Sequence, residues 1–276
     1  MWMQILDFTL PRGGRSPLMV EVPHAGLAIP EAVQSELVVD SFSVQRDADL
    51  YVDKLYAYAP EAGASLLAAR VSRYVVDLNR SAEDVDPLTV PDHPHPRTGQ
   101  PRGVVWRVTT EGVPALRKPL DYAGLQRRLS SFHAPYHNKL QEELNTMRER
   151  FGFAMLLAGH SMPSSGRRAH RDPGNRRADV VPGTLGGTSA DRRLIDLVDS
   201  HFRSAGLSVR HDDPYRGGWT TAHYGRPAEG VHVVQIELNR ALYMHESNCE
   251  PKHGDFERLQ LLLRELVQKV ATLKLA

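Results

Sequence analysis

Short apolar runs alternate with amphipathic stretches along this chain, and several of the runs end on a polar side chain. PLMVEVPHAG (17–26) reads as a buried strand that delivers His24, and AMLLAG (154–159) as one that delivers His160. ASLLAARVSR and YVVDLN read as strand material too, the second ending on Asn79 and Arg80. LSVRHD and VHVVQIELN follow, the latter carrying Glu237 and Asn239 at its exit. Such runs, bounded by turn residues, suit strands buried on both faces. Between them lie helical patterns. DADLYVDKLYAYAPEAG (47–63) has Leu50, Leu55 and Tyr58 near helical spacing, and 121–151 closes at Gly152. SADRRLIDLVDSHFRSAG (189–206) begins with Ser189 as a capping residue, and 256–273 forms the last helix. The alternation predicts a three-layer α/β/α sandwich around a mostly parallel mixed sheet, with ligands at the carboxyl ends of the strands. One domain over 1–276 is expected, with loop excursions at about 81–120, which holds seven prolines, and 162–188.

The rest of the composition narrows the class. Lys+Arg 34 against Asp+Glu 33 leaves a net charge of +1, so no global basic excess argues for nucleic acid. The one cysteine, Cys249, excludes an internal disulfide framework and fits a reducing compartment. The N-terminal stretch lacks a signal-peptide pattern and no run approaches the ~20 apolar residues of a membrane span. The expectation is a cytoplasmic protein that binds neither membrane nor nucleic acid.

If the strands are parallel neighbours, their polar exits crowd one rim. Two histidines, His24 and His160, with a carboxylate from Asp47 or Asp49 make a three-ligand zinc site with one open position. Glu237 is then free to act as general base, and Arg80 offers a fork for a substrate carboxylate. Each residue has a structural alternative. The histidines could support the core, Asp47 could cap a helix, Arg80 could pair with Asp77 or Glu83, and Glu237 could partner an arginine. Other candidates are weaker: HPHP (93–96) reads as a surface loop, and Cys249 between His245 and His253 sits in a polar loop. RRAHRDPGNRR (167–177), with five arginines, reads first as a solvated loop and second as a lid that screens an anionic substrate.

Eight segments then resemble one family in order. PHAGLAIP, RDADLYVDKLY, SRYVVDLNRS, PYHNKL, HSMPS, ADVVPGTLGGTSA, GGWTTAHYGRP and VHVVQIELNRALYM are similar to the N-formylglutamate amidohydrolase (deformylase) family, itself related in fold to zinc carboxypeptidases. The resemblance implies one Zn²⁺ held by His24, His160 and an aspartate, Asp47 in preference to Asp49. It implies Glu237 as base, Asn79 and Arg80 as carboxylate binders, and a role in amino-acid metabolism such as histidine degradation. Arg73 or His223 is expected to steady the oxyanion, and Asn239 to contact substrate. The chain departs from the family in a shorter, proline-rich 81–120 and in its arginine-rich loop after HSMPS. The expected activity is hydrolysis of an N-formyl or N-acyl amino acid, first of all N-formyl-L-glutamate to glutamate and formate, by an enzyme that could form a homo-oligomer. The alternatives are a zinc carboxypeptidase, an amidase on another N-acyl amino acid or peptide, or a non-catalytic protein that binds amino-acid carboxylates.

Overall fold

The computed structural model describes residues 4–96 and 99–275. A six-stranded sheet runs in the order β1-β3-β2-β4-β6-β5. It comprises β1 (Leu6–Thr9), β2 (Leu18–Val22), β3 (Ser65–Ala69), β4 (Ala154–Met162), β5 (Val180–Gly183) and β6 (Val231–Asn239). The inner four strands are parallel, and β1 and β5 pair antiparallel on the two edges. β2, β4 and β6 are buried along their whole length, which is why their sequences are continuous apolar runs.

Side-chain alternation along the strands feeds two cores. Leu18, Val20, Met155, Leu157, Val234 and Ile236 face one side. There they pack against α3 (Val52–Leu55), α6 (Arg192–Ser204) and α8 (Asp255–Ala271). In α8 the buried Leu259, Leu263, Leu266, Val267 and Val270 recur at i, i+4, i+7, i+8 and i+11, one stripe of a helix. Met19, Leu67, Leu156 and Val233 face the other side, against α5 (Ala134–Phe151) and the excursion that carries Val104, Val105 and Trp106. Helices thus cover both faces, the α/β/α sandwich the sequence predicts.

Several local readings change. The predicted helix over 121–151 holds as α4 (Tyr122–Arg128) and α5, joined by a π-turn at Leu129–His133. The wider turn accommodates Pro135, whose missing N–H would otherwise break the ladder. Gly152, at φ 83°, ends α5. The stretch 47–63 is not one helix. α2 (Ser41–Asp47), capped by the Asp40 side chain on Ser43 N, ends before an extended Ala48, and α3 starts after Tyr51 at φ 68°. The YVVDLN run is buried but forms turns, not a strand. The outer edge of β3 is taken by β1, so the run packs into the second core, where Asp77 N donates to Val104 O. LSVRHD makes only an isolated bridge at Val209, opposite Val180. Asp191, not Ser189, caps α6 by accepting from Arg193 N at 2.8 Å, while Ser189 donates to Val233 O.

Candidate active site

β4 and β6 run side by side, and their register places His160 directly opposite Glu237 and Ala158 opposite Gln235. With a side-chain period of two, His160, Gln235 and Glu237 emerge on the same face at the carboxyl end of the sheet. β2, the other neighbour of β4, ends two residues before His24. The PHAG turn is tight there: a side chain at Gly26 would lie 2.3 Å from the Arg70 carbonyl carbon, so only glycine lets the loop pass the end of β3.

The break after α2 supplies the third group. Asp49 N donates to His24 O at 2.9 Å, tying the extended segment to the first histidine loop. Asp49 Oδ2 then lies 3.0 Å from His160 Nδ1 and 3.4 Å from His24 Nδ1, and the two imidazoles sit 5.0 Å apart. His24, Asp49 and His160 are all buried, each with a ligand atom within 4.8 Å of the others. His24 Nδ1 is buried with no hydrogen-bond partner, while its Nε2 is held by Asp77 Oδ1 at 2.8 Å. That pairing of a carboxylate on one ring nitrogen and a bare lone pair on the other is how metal-binding histidines are oriented. Arg240 secures Asp49 from behind, donating from Nη2 to Oδ1 at 3.2 Å and from Nε to Ser161 Oγ at 3.0 Å. Two buried histidines and one carboxylate match the donor set of three-ligand zinc sites.

Electrostatics separate the carboxylates. Burial pushes Asp49 up, but the hydrogen bond from His160 and the adjacent His24 imidazole outweigh it and hold the carboxyl well below its ordinary value. Asp77 is likewise pushed up by burial and pulled well below by the charges of His24 and Arg73. Glu237 goes the other way. Burial raises its pKa, and the opposing pull of His160 does not cancel it. Among the described residues Glu237 accepts one hydrogen bond, from Gln235 Nε2 at 2.9 Å, and no arginine or lysine lies within ion-pair distance.

These groups open onto a cavity of about 420 Å³ whose wall includes Arg73, Arg80, Arg102, Trp106, Arg167 and Tyr215. His160, Gln235 and Glu237 on its wall place the cavity at the carboxyl ends of the strands, where an α/β sheet binds ligands. The N-formylglutamate amidohydrolase family model matches residues 16–244. The chain belongs to that family.

Curated relatives agree. The chain is 35% identical over 259 residues to an N-formylglutamate deformylase of Pseudomonas putida, covering 92% of each. It is 33% identical over 271 residues to one of Pseudomonas aeruginosa, covering 97% of this chain and 96% of that one. The crystal structure of an N-formylglutamate amidohydrolase from Ralstonia eutropha JMP134 superposes with a TM-score of 0.90 at 33% identity, covering 98% of both chains. A gene product of Agrobacterium tumefaciens, 20% identical with a TM-score of 0.71 over 97% of this chain and 94% of that one, shares the fold.

In this N-formylglutamate amidohydrolase family member three of the expected site residues lie away from the His24–His160 cluster. Asp49, not Asp47, joins the histidines. Asp47 ends α2 and is consumed elsewhere, accepting from Tyr74 Oη at 2.5 Å, Thr110 N at 2.9 Å and Arg167 Nη1 at 2.8 Å. His223 lies outside the cavity wall, exposed on α7 (Trp219–Tyr224) and stacked on Trp219 at 4.4 Å, because the helix turns Thr220, Thr221 and Tyr224 inward instead. Asn239 does not line the cavity. It caps the following turn, accepting from Ala241 N, and its amide donates to Arg177 O and Ala178 O.

Other expected residues are in place with altered partners. Arg73 lines the cavity, with Nη2 on Asp77 at 2.9 Å and a buried Nε that has no partner. Arg80 lines it too and pairs with Asp84 at 3.4 Å, neither with Asp77 nor with Glu83 as the structural alternative supposed. Asn79 is engaged inside the protein: Nδ2 lies 3.2 Å from Gln235 Oε1 and 3.3 Å from His160 Nε2, and Oδ1 accepts from Thr220 N. A side chain at Gly218 would come within 2.2 Å of that amide, so the GGW turn can close on Asn79 only with glycine. Arg167, His170 and Arg171 of the arginine-rich loop stand on the cavity wall. Sequence reading missed Arg240, one residue beyond the Glu237 strand exit, and Asp77, the acidic member of DLNR that anchors His24.

Proposed function

We propose that the protein is a zinc-dependent amidohydrolase that cleaves N-formyl-L-glutamate to formate and glutamate, and that the chain works as one domain. The observation that carries the reading is the buried His24–Asp49–His160 cluster with its bare His24 Nδ1, set beside a Glu237 that no arginine or lysine among the described residues pairs. The substrate comes from the names of the relatives at 33–35% identity over nearly the whole chain.

His24, Asp49 and His160 would hold the metal. A divalent ion held there would supply Lewis acidity and lower the pKa of the attacking water toward ~7. Glu237, with its carboxyl raised by burial, takes the proton from the attacking water and returns it to the departing amine. Arg73 Nε, buried and unpartnered, is a ready donor for the oxygen on which negative charge develops. Arg80, on the same wall, receives the α-carboxylate and fixes the amide over the water.

The test is amine release from N-formyl and N-acetyl amino acids by protein that has been stripped with chelator and then given zinc. The reading expects activity to vanish on stripping, return with one equivalent of zinc, and be greatest on N-formyl-L-glutamate. Full activity in metal-free protein would refute the metal role, and a peptide or N-acetyl substrate turned over faster would refute the substrate.

A further inference from the structure

We propose that Arg102 selects the substrate by receiving a second carboxylate, the one on the side chain of the N-formyl amino acid. The inference rests on the amidohydrolase reading above. The paired arginines of the cavity wall give the contrast. Arg73 is paired with Asp77, Arg80 with Asp84, Arg167 with Asp47 and Arg240 with Asp49. Among the described wall residues Arg102, Arg171 and Arg216 have no carboxylate partner, and of these Arg171 and Arg216 are exposed to water. Arg102 is half-buried. A partly desolvated cation without a counter-ion is costly to keep, and an incoming anion relieves the cost.

Its position is also fixed. Arg102 and Trp106 face each other through an isolated antiparallel bridge, which sends both side chains to the same side of the turn. The guanidinium lies 5.6 Å from the indole centre and donates one nitrogen to Ala169 O of the arginine-rich loop. A guanidinium carries five N–H donors, so one carbonyl leaves the fork largely free. Burial and the positive charges of Arg73 and Arg80 hold its pKa below the usual value.

Connectivity outward from the metal-binding cluster says which carboxylate it takes. His24 is held by Asp77, Asp77 Oδ2 accepts from Trp106 Nε1 at 2.9 Å, and Arg102 lies beyond the indole. Arg80 follows directly on Asn79, whose amide is 3.3 Å from His160. On this proposal Arg80 takes the α-carboxylate, which is joined to the carbon that bears the scissile nitrogen, and Arg102 takes the side-chain carboxylate, two methylenes further out.

The experiment compares wild type with Arg102→Gln on N-formyl-L-glutamate and N-formyl-L-glutamine. Calorimetry with glutarate and butyrate runs alongside it. We expect kcat/KM on the glutamate substrate to fall about 10- to 150-fold, the range for a lost hydrogen bond to a charged group, and that on the glutamine substrate to change less than about threefold. Equal losses on both would make Arg102 a fastener of the Ala169 loop and overturn the proposal. If wild type cleaves no N-formyl amino acid, the function proposed above fails, and the binding arm alone judges Arg102. It expects glutarate to bind wild type more tightly than butyrate and the difference to disappear in Arg102→Gln. A difference that persists in the variant, or no difference in wild type, overturns the proposal. Should the glutamine variant not fold, Arg102→Lys replaces it: reduced discrimination between the paired ligands supports the assignment, and unchanged discrimination refutes it.

Discussion

Replacing Glu237 with glutamine isolates the proton-transfer step from the rest of the site. The carboxylate has one hydrogen-bond partner, Gln235 Nε2 at 2.9 Å, and an amide oxygen accepts that bond equally well. No arginine loses a counter-ion, so the change orphans nothing and the fold should be intact. A positioned acid–base group is worth about 10²- to 10⁴-fold in rate, or roughly 2.7–5.5 kcal/mol of barrier. We therefore expect kcat to fall by that factor while zinc stays stoichiometric by elemental analysis. Stability gives an independent reading in chelated protein. Burial lifts the Glu237 pKa above its ordinary 4.5 in the folded state. Ionisation is thus easier in the unfolded chain, and the penalty on folding grows as pH rises above 4.5. Glu237→Gln removes that penalty, so its Tm should match wild type near pH 4 and exceed it at pH 7–8. Loss of zinc in the variant would make Glu237 a ligand, and a fall in kcat of less than about tenfold would place the base elsewhere.

Asp49→Asn should abolish stoichiometric zinc binding, whereas Asp47→Asn should keep the metal and lose about 3–5 kcal/mol of stability through the broken buried pair with Arg167; metal content and urea midpoints separate the two. Arg80→Ala should weaken binding of N-acyl amino acids far more than of their amides, measured as KM, while equal losses with a lowered Tm would assign Arg80 to its Asp84 pair. His137, buried against Leu78 O and Tyr224, has its pKa driven down to about 2 by burial and then by the neighbouring His133. Since the unfolded chain takes up that proton at about 6.5, its contribution is complete above pH 6.5 and declines below it, by up to about 1.4 kcal/mol per pH unit. The difference in unfolding free energy between wild type and His137→Gln should shrink accordingly from pH 7.5 to 5.5, and a pH-independent difference would refute the buried neutral imidazole.

What the sequence shows of the fold is greatest where a segment is buried on both faces. AMLLAGHSM and VHVVQIELN are continuous apolar runs because β4 and β6 lie inside the sheet, and their polar ends mark His160 and Glu237 without further help. YVVDLN has the same apolar signature but is buried by a core, not by neighbouring strands, and composition does not distinguish the two. The choice between Asp47 and Asp49 turns on an extended residue, Ala48, that interrupts what periodicity reads as one helix. Arg240 and Asp77 act at one remove from the expected ligands, and only the folded chain shows what they touch. Asn239 is expected at the rim from its strand exit and His223 from the resemblance, yet a single residue's rotation about a strand or helix moves a side chain off the rim.

The pairing of His160 with Glu237 across adjacent parallel strands has an evolutionary consequence. On the proposed reading, the spacing between the metal-binding side chain and the group that moves protons is set by the hydrogen-bond ladder of adjacent strands. Arg102 and Arg167, on the cavity wall, come from the two long excursions. Insertions, deletions and charge changes in those excursions can therefore redraw which acyl amino acid is admitted while the reacting geometry is inherited unchanged. In such a scaffold new specificities arise by loop drift, at little risk to turnover.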